Sequence, residues 1–388
     1  MGGKVNFGII GVGNMGSAHV QFMEKLDNVE LVAVYDRDPK AYDKIPSEIR
    51  ARIRCCASAD EFFNVPELQA VLISVPHYDH PDLAIAAMEH GKHIIVEKPI
   101  AVHKAEAERM IAAAKKHPEL VKSAMFNQRT LPLHRKLKQL IDSGEFGRLR
   151  RINWIITDWF RSQIYYDSGD WRATWGGEGG GVLLNQCPHQ LDLLQWFFGM
   201  PTRVHSYVTL GKYHDIEVED DVNTYMQYAD GMVGNFIAST GEAPGTNRLE
   251  IMAERGRVVL EGGKLLFRRN EVEAAEFSRT VKLGFGAPPT WECEINVEKE
   301  RCSGHQLVIE NVANAILKGE KLIAPVEEGI KGLELGNAML MSGLTGEPID
   351  LPLDSAAYAA MLADLVKNSK RPRKTAKSTD GSNFMNSF

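Results

Sequence analysis

Cysteine is scarce and unpatterned: five residues in 388, an odd number, with no Cys-x-x-Cys spacing. That argues against a disulfide framework and against a zinc site built on paired thiols. Long apolar runs are also missing, since none approaches the roughly 20 residues of a membrane-spanning helix. Neither sign of charge dominates. The 45 Lys and Arg against 51 Asp and Glu leave a net −6, so no global field draws the chain to nucleic acid or an anionic membrane. A strand begins within a few residues of Met1, without the basic and apolar segments of a secretory signal. A cytoplasmic protein with reduced thiols is expected. At 44% hydrophobic and 25% charged, the chain has ordinary globular composition and length for two domains.

What is present begins with residues 4–10 (KVNFGII), a strand that runs directly into Gly11-Val12-Gly13-Asn14-Met15-Gly16 and then a helical stretch to about Leu26. This is G-x-G-x-x-G between a strand and a helix. The first glycine serves a tight turn, the second lets backbone approach a pyrophosphate, and the third lets helix and sheet pack closely. A second strand, Glu30 to Tyr35, ends in Asp36, where a carboxylate accepts hydrogen bonds from an adenosine ribose. Asp36 would also repel the extra phosphate of NADP, partly offset by Arg37, so NAD is the expected cofactor. Strands and helices then alternate: a strand over 70–75, a helix over about 81–89, a strand over 93–96, a helix over about 104–117 and a strand over 121–126. The alternation predicts a doubly wound parallel sheet. His77 and His80 follow the 70–75 strand without further ligands nearby, and no metal site is expected.

The 93–96 strand stops abruptly at Glu97-Lys98-Pro99. In an open α/β sheet that end faces the ligand crevice, which would set a lysine beside whatever is bound. A solvated polar turn is the other reading of those three residues.

From Arg150 the rhythm changes to strand-like pieces at 151–158, 203–210, 222–228, 232–239, 248–253, 258–261 and 264–268, with hairpin signals at Asp230-Gly231 and Gly262-Gly263. An α+β domain with a large, mostly antiparallel, open-faced sheet is expected, the whole being an α/β protein with domains at 1–128 and 129–366 and a mobile tail at 367–388. Within Gly179 to Gly199, Asn185, His189 and Asp192 fall on one helical face. Pro188 complicates this, because the helix must either start there or kink. His189 alone reads as a satisfied buried histidine or as a base. Before this helix, Trp159, Arg161, Tyr165, Tyr166, Trp171, Arg172 and Trp175 combine aromatic faces with donors, as a sugar ring or an oligomer interface requires.

The motifs GVGNMG, SVPHYDH, EKP, NQR followed by SGEFG, and GGGVLLNQCPHQLDLL resemble, in combination, the glucose-fructose oxidoreductase / inositol 2-dehydrogenase (Gfo/Idh/MocA) family over roughly residues 4–355. The resemblance implies an NAD-binding Rossmann domain and a substrate held on the second sheet. It implies cofactor contacts from the 11–16 loop, Asp36, Arg37, Ser74, Val75, Pro76, His77, His80, Glu97, Lys98, Gln128 and Arg129. Lys98 becomes the catalytic lysine and His189 the catalytic histidine, with Asn185 where the family commonly has an aspartate. Lys98, Arg161, Tyr166, Trp171, Arg172, Asn185 and His189 would meet the substrate, a sugar or glycoside. A dehydrogenase acting on a ring hydroxyl is expected, with a redox-neutral NAD-dependent glycosidase or a cofactor-sensing regulator as alternatives. A homo-oligomer through the open sheet face is also expected.

Overall fold

The computed structural model describes residues 3–169, 171–299 and 301–369. The first half alternates β1 (Val5–Ile10), α1 (Asn14–Met23), β2 (Val29–Tyr35), β3 (Arg54–Cys56), β4 (Ala70–Ile73), α2 (His80–Glu89), β5 (His93–Val96), α3 (Lys104–Ala114) and β6 (Lys122–Ala124). All six strands are parallel, in the order β3-β2-β1-β4-β5-β6. Helices cover both faces, so β4 and β5 are continuous apolar runs with Val71, Leu72, Ile94 and Ile95 fully buried. The order reverses between β1 and β4, and the loops leaving those strands open a crevice at their C-terminal ends.

The second half holds α4 (Pro132–Asp142), β7 (Leu149–Ile156), α5 (Pro188–Phe198), β8 (Arg203–Leu210), β9 (Glu219–Gln227), β10 (Val233–Ser239), β11 (Asn247–Ala253), β12 (Gly256–Glu261), β13 (Lys264–Asn270) and β14 (Thr290–Glu294). It ends with α6 (Gly304–Lys318), α7 (Gly329–Thr345), β15 (Ile349–Asp350) and α8 (Ser355–Asn368). The nine strands run β14-β13-β12-β11-β7-β10-β9-β8-β15, antiparallel except for the parallel pair β7–β10. Alternation along each strand sends one set of side chains, such as Ile152, Trp154, Phe236 and Ile251, into the core under the helices. The opposite set faces outward, and Tyr207 and Tyr225 are exposed on it.

Three expectations change. β14 and β15 escaped the sequence pattern because Thr-Trp-Glu-Cys-Glu carries only two apolar side chains, neither of them buried, and β15 is two residues long. Residues 129–366 are not one body: Val308, Ile309 and Val312 of α6 pack into the first domain's core with Val5, Phe7 and Val20, and Ala124 donates to the Ala324 carbonyl at 2.9 Å. Of the expected tail, residues 367–369 are ordered into the fold, since α8 continues to Asn368 and the Ser369 hydroxyl donates to Glu217 at 2.7 Å. Residues 370–388 lie outside the described residues. Among the described residues no helix is long and apolar enough to cross a membrane, and no cysteine is joined in a disulfide.

The halves are locked together by charge. Arg129, just past β6, is 1% exposed. It donates to Asp192 of α5 through Nε at 2.7 Å and Nη2 at 2.6 Å, and through Nη1 to Glu328 at 2.5 Å and the Ile323 carbonyl at 3.2 Å. Arg129 is therefore a fold residue, not the cofactor contact expected of it, and Asp192 faces Arg129 instead of His189. Arg129→Met would strand a buried carboxylate and should destabilise the protein by about 3–5 kcal/mol in denaturant unfolding.

Candidate active site

The loop after β1 is shaped to take a dinucleotide. Gly11 has φ +88°, and a Cβ there would lie 2.2 Å from the Ser74 carbonyl oxygen. At Gly16 a Cβ would lie 1.9 Å from the Gly11 carbonyl oxygen, whereas at Gly13 it would meet nothing within 4 Å. Gly13 precedes α1, whose first turn has no side-chain cap, so open space and free backbone N–H groups coincide where a pyrophosphate is favoured. The Val12 side chain is core, leaving only its backbone to the site, and its N–H donates to Asp36 Oδ2 at 2.6 Å. Asp36 is thus fixed at the end of β2, with Oδ1 on the Asp38 N–H at 2.9 Å. Asn14 is exposed, Met15 is half-buried, and Arg37 reaches across the crevice to pair with Asp79. These residues fit NAD.

Around β4 and β5 the expected cofactor residues divide. Ser74 and Val75 leave the sheet half-buried and Pro76 is exposed, with Ser74 N–H still bonded to Ile10 at 2.8 Å. His80 lies 2.8 Å from the Val75 carbonyl through Nε2 and 2.7 Å from the Pro99 carbonyl through Nδ1, so it staples these loops together and is not free for a ligand. His77 faces the second domain, with Nδ1 3.3 Å from the Glu178 carbonyl and its ring edge-on to Trp171 at 5.7 Å. Glu97 is likewise inward, with one oxygen 2.6 Å from His19 Nε2 and the other accepting from the Lys98 N–H at 3.0 Å. Burial alone would raise the Glu97 pKa, but the His19 contact outweighs it and holds it at about 2.

Lys98 Nζ donates to the Asn185 carbonyl at 2.9 Å. Its pKa is lowered by burial, against the opposing pull of Glu97 and Glu178. The helix proper begins at Pro188, where the missing N–H costs nothing. Asn185 consequently lies in the preceding turn, its N–H on the Gly181 carbonyl at 2.9 Å, and the expected shared helical face with His189 does not exist. Lys98 is the group the two share, bonded to the Asn185 carbonyl and acting by its charge on His189, which in the first turn of α5 is 5% exposed with an unpartnered Nδ1. The His189 pKa is pushed well below the ordinary histidine value, first by burial and then by the charge of Lys98.

The aromatic segment closes over this turn as a ladder. Arg161 lies over Trp159 and Tyr165 at 5.3 and 5.1 Å, and Arg172 over Tyr165 and Trp171 at 4.5 and 4.6 Å. Trp171 therefore carries Arg172 on its ring and is less free for a sugar than expected. Tyr166 is 3% exposed and its hydroxyl meets Thr240 at 2.7 Å, which places it in the core. Its neighbour Tyr165 is the one that faces the site, the hydroxyl receiving bonds from Arg172 at 2.8 Å and Asn185 at 3.3 Å. In the short helix Gln163–Asp167 successive side chains diverge by about 100°, so only one tyrosine of the pair can do so. Glu178, also missed, is 1% exposed beneath the ladder, bonded to Asn185 Nδ2 and the Ala173 N–H.

Beside His189, Gln190 is 2% exposed with an unpartnered Oε1, and its amide lies 3.5 Å from Gln128 Oε1. Both line a groove of about 700 Å³ with His134, Trp154, Asp158 and Asn247.

A dinucleotide loop facing a buried lysine and a neutral histidine defines a nicotinamide-dependent oxidoreductase. Residues 5–124 match the oxidoreductase family with an NAD-binding Rossmann fold and residues 134–259 the GFO/IDH/MocA C-terminal domain, and the chain belongs to the Gfo/Idh/MocA family. It is 26% identical to levoglucosan dehydrogenase of Pseudarthrobacter phenanthrenivorans over 70% of this chain and 76% of that protein. It is 24% identical to the NAD-dependent scyllo-inositol 2-dehydrogenase of Bacillus subtilis over 92% and 99%. The crystal structure of the WlbA dehydrogenase of Chromobacterium violaceum with NADH and UDP-GlcNAcA superposes with a TM-score of 0.76 at 27% identity, covering 90% of this chain and 97% of that one. The protein is an NAD-dependent oxidoreductase acting on CH–OH groups.

Lys98→Met should leave NAD binding by fluorescence titration within a few fold and remove most turnover, because the 11–16 loop and Asp36 hold the cofactor. Activity within tenfold of wild type would make Glu97-Lys98-Pro99 a polar turn only.

Proposed function

We propose that the protein oxidises a secondary ring hydroxyl of a pyranoside carrying an aglycone or a second sugar, giving a keto-sugar. The observation that carries this reading is the groove lined by Gln190, the residue after His189, and by His134, whose charge acts on His189. At about 700 Å³ it lies within the roughly 300–1,000 Å³ that encloses a drug-sized ligand, more than one sugar ring fills. Its lining mixes the half-buried Leu131, Leu133 and Leu260 with the polar Gln128, Asp158 and Asn247, as a hydroxylated ligand with an apolar face requires. The WlbA neighbour, with UDP-GlcNAcA bound, is a precedent for a sugar bearing a large substituent.

Bound NAD supplies the hydride acceptor, and the chain supplies the acid-base work. His189 is the base for the hydroxyl proton; its lowered pKa keeps it neutral and able to accept. A weaker base suffices if the alcohol is made more acidic, which is the part of Lys98. Its ammonium hydrogen-bonds the reacting oxygen, favouring the developing alkoxide in oxidation and polarising the carbonyl in reduction. Asn185, being neutral, orients this pair through its carbonyl and takes no proton.

We also infer that copies of the chain associate through the open face of the second sheet. Tyr207, 73% exposed, and Tyr225, 42% exposed, stand on that face, and His205 stacks on Tyr207 at 5.4 Å. Light scattering should show an oligomer at micromolar concentration that Tyr207→Glu weakens; a monomeric wild type would sink the idea.

For the substrate, NADH formation should be faster with pyranosides than with the corresponding free sugars. Asp158→Ala should lower kcat/KM for the glycoside by about 10- to 150-fold, the value of one hydrogen bond to a charged group (about 1.5–3 kcal/mol). The free sugar should hardly respond. Equal losses for both would confine the substrate to the reacting ring.

A further inference from the structure

Position 185 is an asparagine with no charge of its own, yet a carboxylate lies against it. Glu178, seven residues earlier, folds back under the catalytic turn at 1% exposure. One oxygen accepts from the Asn185 side-chain amide. The other accepts from the Ala173 N–H at 2.6 Å, and Ala173, at φ +53°, is the only non-glycine with positive φ among the described residues. A backbone conformation that L-residues avoid is held where it aims an N–H at this carboxylate. Asn185 in turn presents its carbonyl to Lys98 Nζ at 2.9 Å. Carboxylate, amide, carbonyl and ammonium thus form one connected path from the aromatic ladder to the lysine.

We propose that Glu178 is the positioning carboxylate of this site: it fixes the Asn185 turn, and through it the ammonium of Lys98, and supplies the negative charge that position 185 does not. The inference rests on the dehydrogenase reading but not on the size of the sugar. The charged and titratable groups around Glu178 are Lys98 at the end of β5, Arg172 and Tyr166 of the aromatic segment, His77 after β4 and Glu219 at the start of β9. Burial raises its pKa above the ordinary carboxylate value and Glu219 lies nearby, while Arg172, the Ala173 N–H, the Asn185 amide and Lys98 favour its ionised form. Removing its charge takes away one of the two carboxylates that favour protonated Lys98, so the lysine should then deprotonate at lower pH.

Two readouts test this. The pH dependence of Lys98 acetylation in the protein without sugar, followed by mass spectrometry, should shift down by about one unit in Glu178→Gln, as expected for the loss of one nearby opposite charge. With any sugar that the wild type oxidises, the same variant should lose about 10- to 100-fold in kcat, keep its KM for NAD, and lose activity at lower pH on the alkaline side. Asn185→Asp alone should also be impaired, because it puts two carboxylates in contact, whereas Asn185→Asp combined with Glu178→Gln should recover much of the activity of either single variant. Losses that simply add, with no shift in Lys98 acetylation, would reduce Glu178 to a structural residue. If Glu178→Gln does not fold, Asn185→Ala breaks the same path from the other side: unchanged kcat there would overturn the proposal, and a 10- to 100-fold loss with normal NAD binding would support it. A wild type that oxidises no sugar would defeat the dehydrogenase reading, while the acetylation shift would still decide the role of Glu178.

Discussion

The hydrogen bond from Lys98 Nζ to the Asn185 carbonyl crosses from the end of a parallel strand in one domain to the turn before α5 in the other. A lysine at a strand end is otherwise free to swing into solvent through four rotatable bonds, at a large cost in entropy to any geometry that needs it still. Here the partner is a backbone carbonyl, whose position depends on the turn and so on everything that holds the turn. Arg129 fixes α5 from behind through Asp192, Glu219 accepts from the N–H groups of Gly181 and Leu183 at 2.8 and 3.0 Å, and Glu178 grips Asn185 itself. The packing of the two domains is thereby converted into the position of one ammonium.

The same burial that makes these contacts rigid also sets the charges. Burial lowers the pKa of Lys98 and of His189 and raises that of Glu178, while Glu97 stays ionised because His19 lies against it. A cation next to a histidine keeps the imidazole neutral, and a neutral imidazole is the form that can accept a proton. In the dehydrogenase reading, the lysine and histidine therefore need each other in opposite protonation states, and their proximity in a dry site enforces that.

Some of this was legible in the sequence because it depends on local geometry. The strand, G-x-G-x-x-G and Asp36 form a unit that depends on backbone space and one carboxylate, and the structure has strand, glycine turn and helix in that order with Asp36 at the end of β2. The second sheet was legible from period-two alternation except where a strand was short or left its few apolar residues unburied. Partnerships across hundreds of residues were not legible. Arg129 looked like a cofactor contact in the NQR motif, and only the approach of Asp192 and Glu328 makes it a buried tie. Asn185 looked helical because its spacing to His189 is four; the proline that starts α5 leaves it in a turn, where its carbonyl becomes as important as its side chain. Tyr165 and Tyr166 are indistinguishable in sequence, and a five-residue helix with little periodicity of its own separates them into site and core.

The two halves of the site are specified in different ways. On the cofactor side the 11–16 loop offers backbone, and at Gly11 and Gly16 a side chain would collide with the chain itself, so that half tolerates little variation in geometry. In the proposed reading the sugar is met by side chains from the 159–178 segment, from α5 and from the ends of β7 and β11, where each residue can change without disturbing the sheet beneath it. Glu178 belongs to that second kind. A carboxylate reaching Asn185 from a neighbouring loop can replace one at position 185 because the requirement is a fixed negative charge beside the turn, and a requirement of that kind specifies a place in space without specifying which residue fills it.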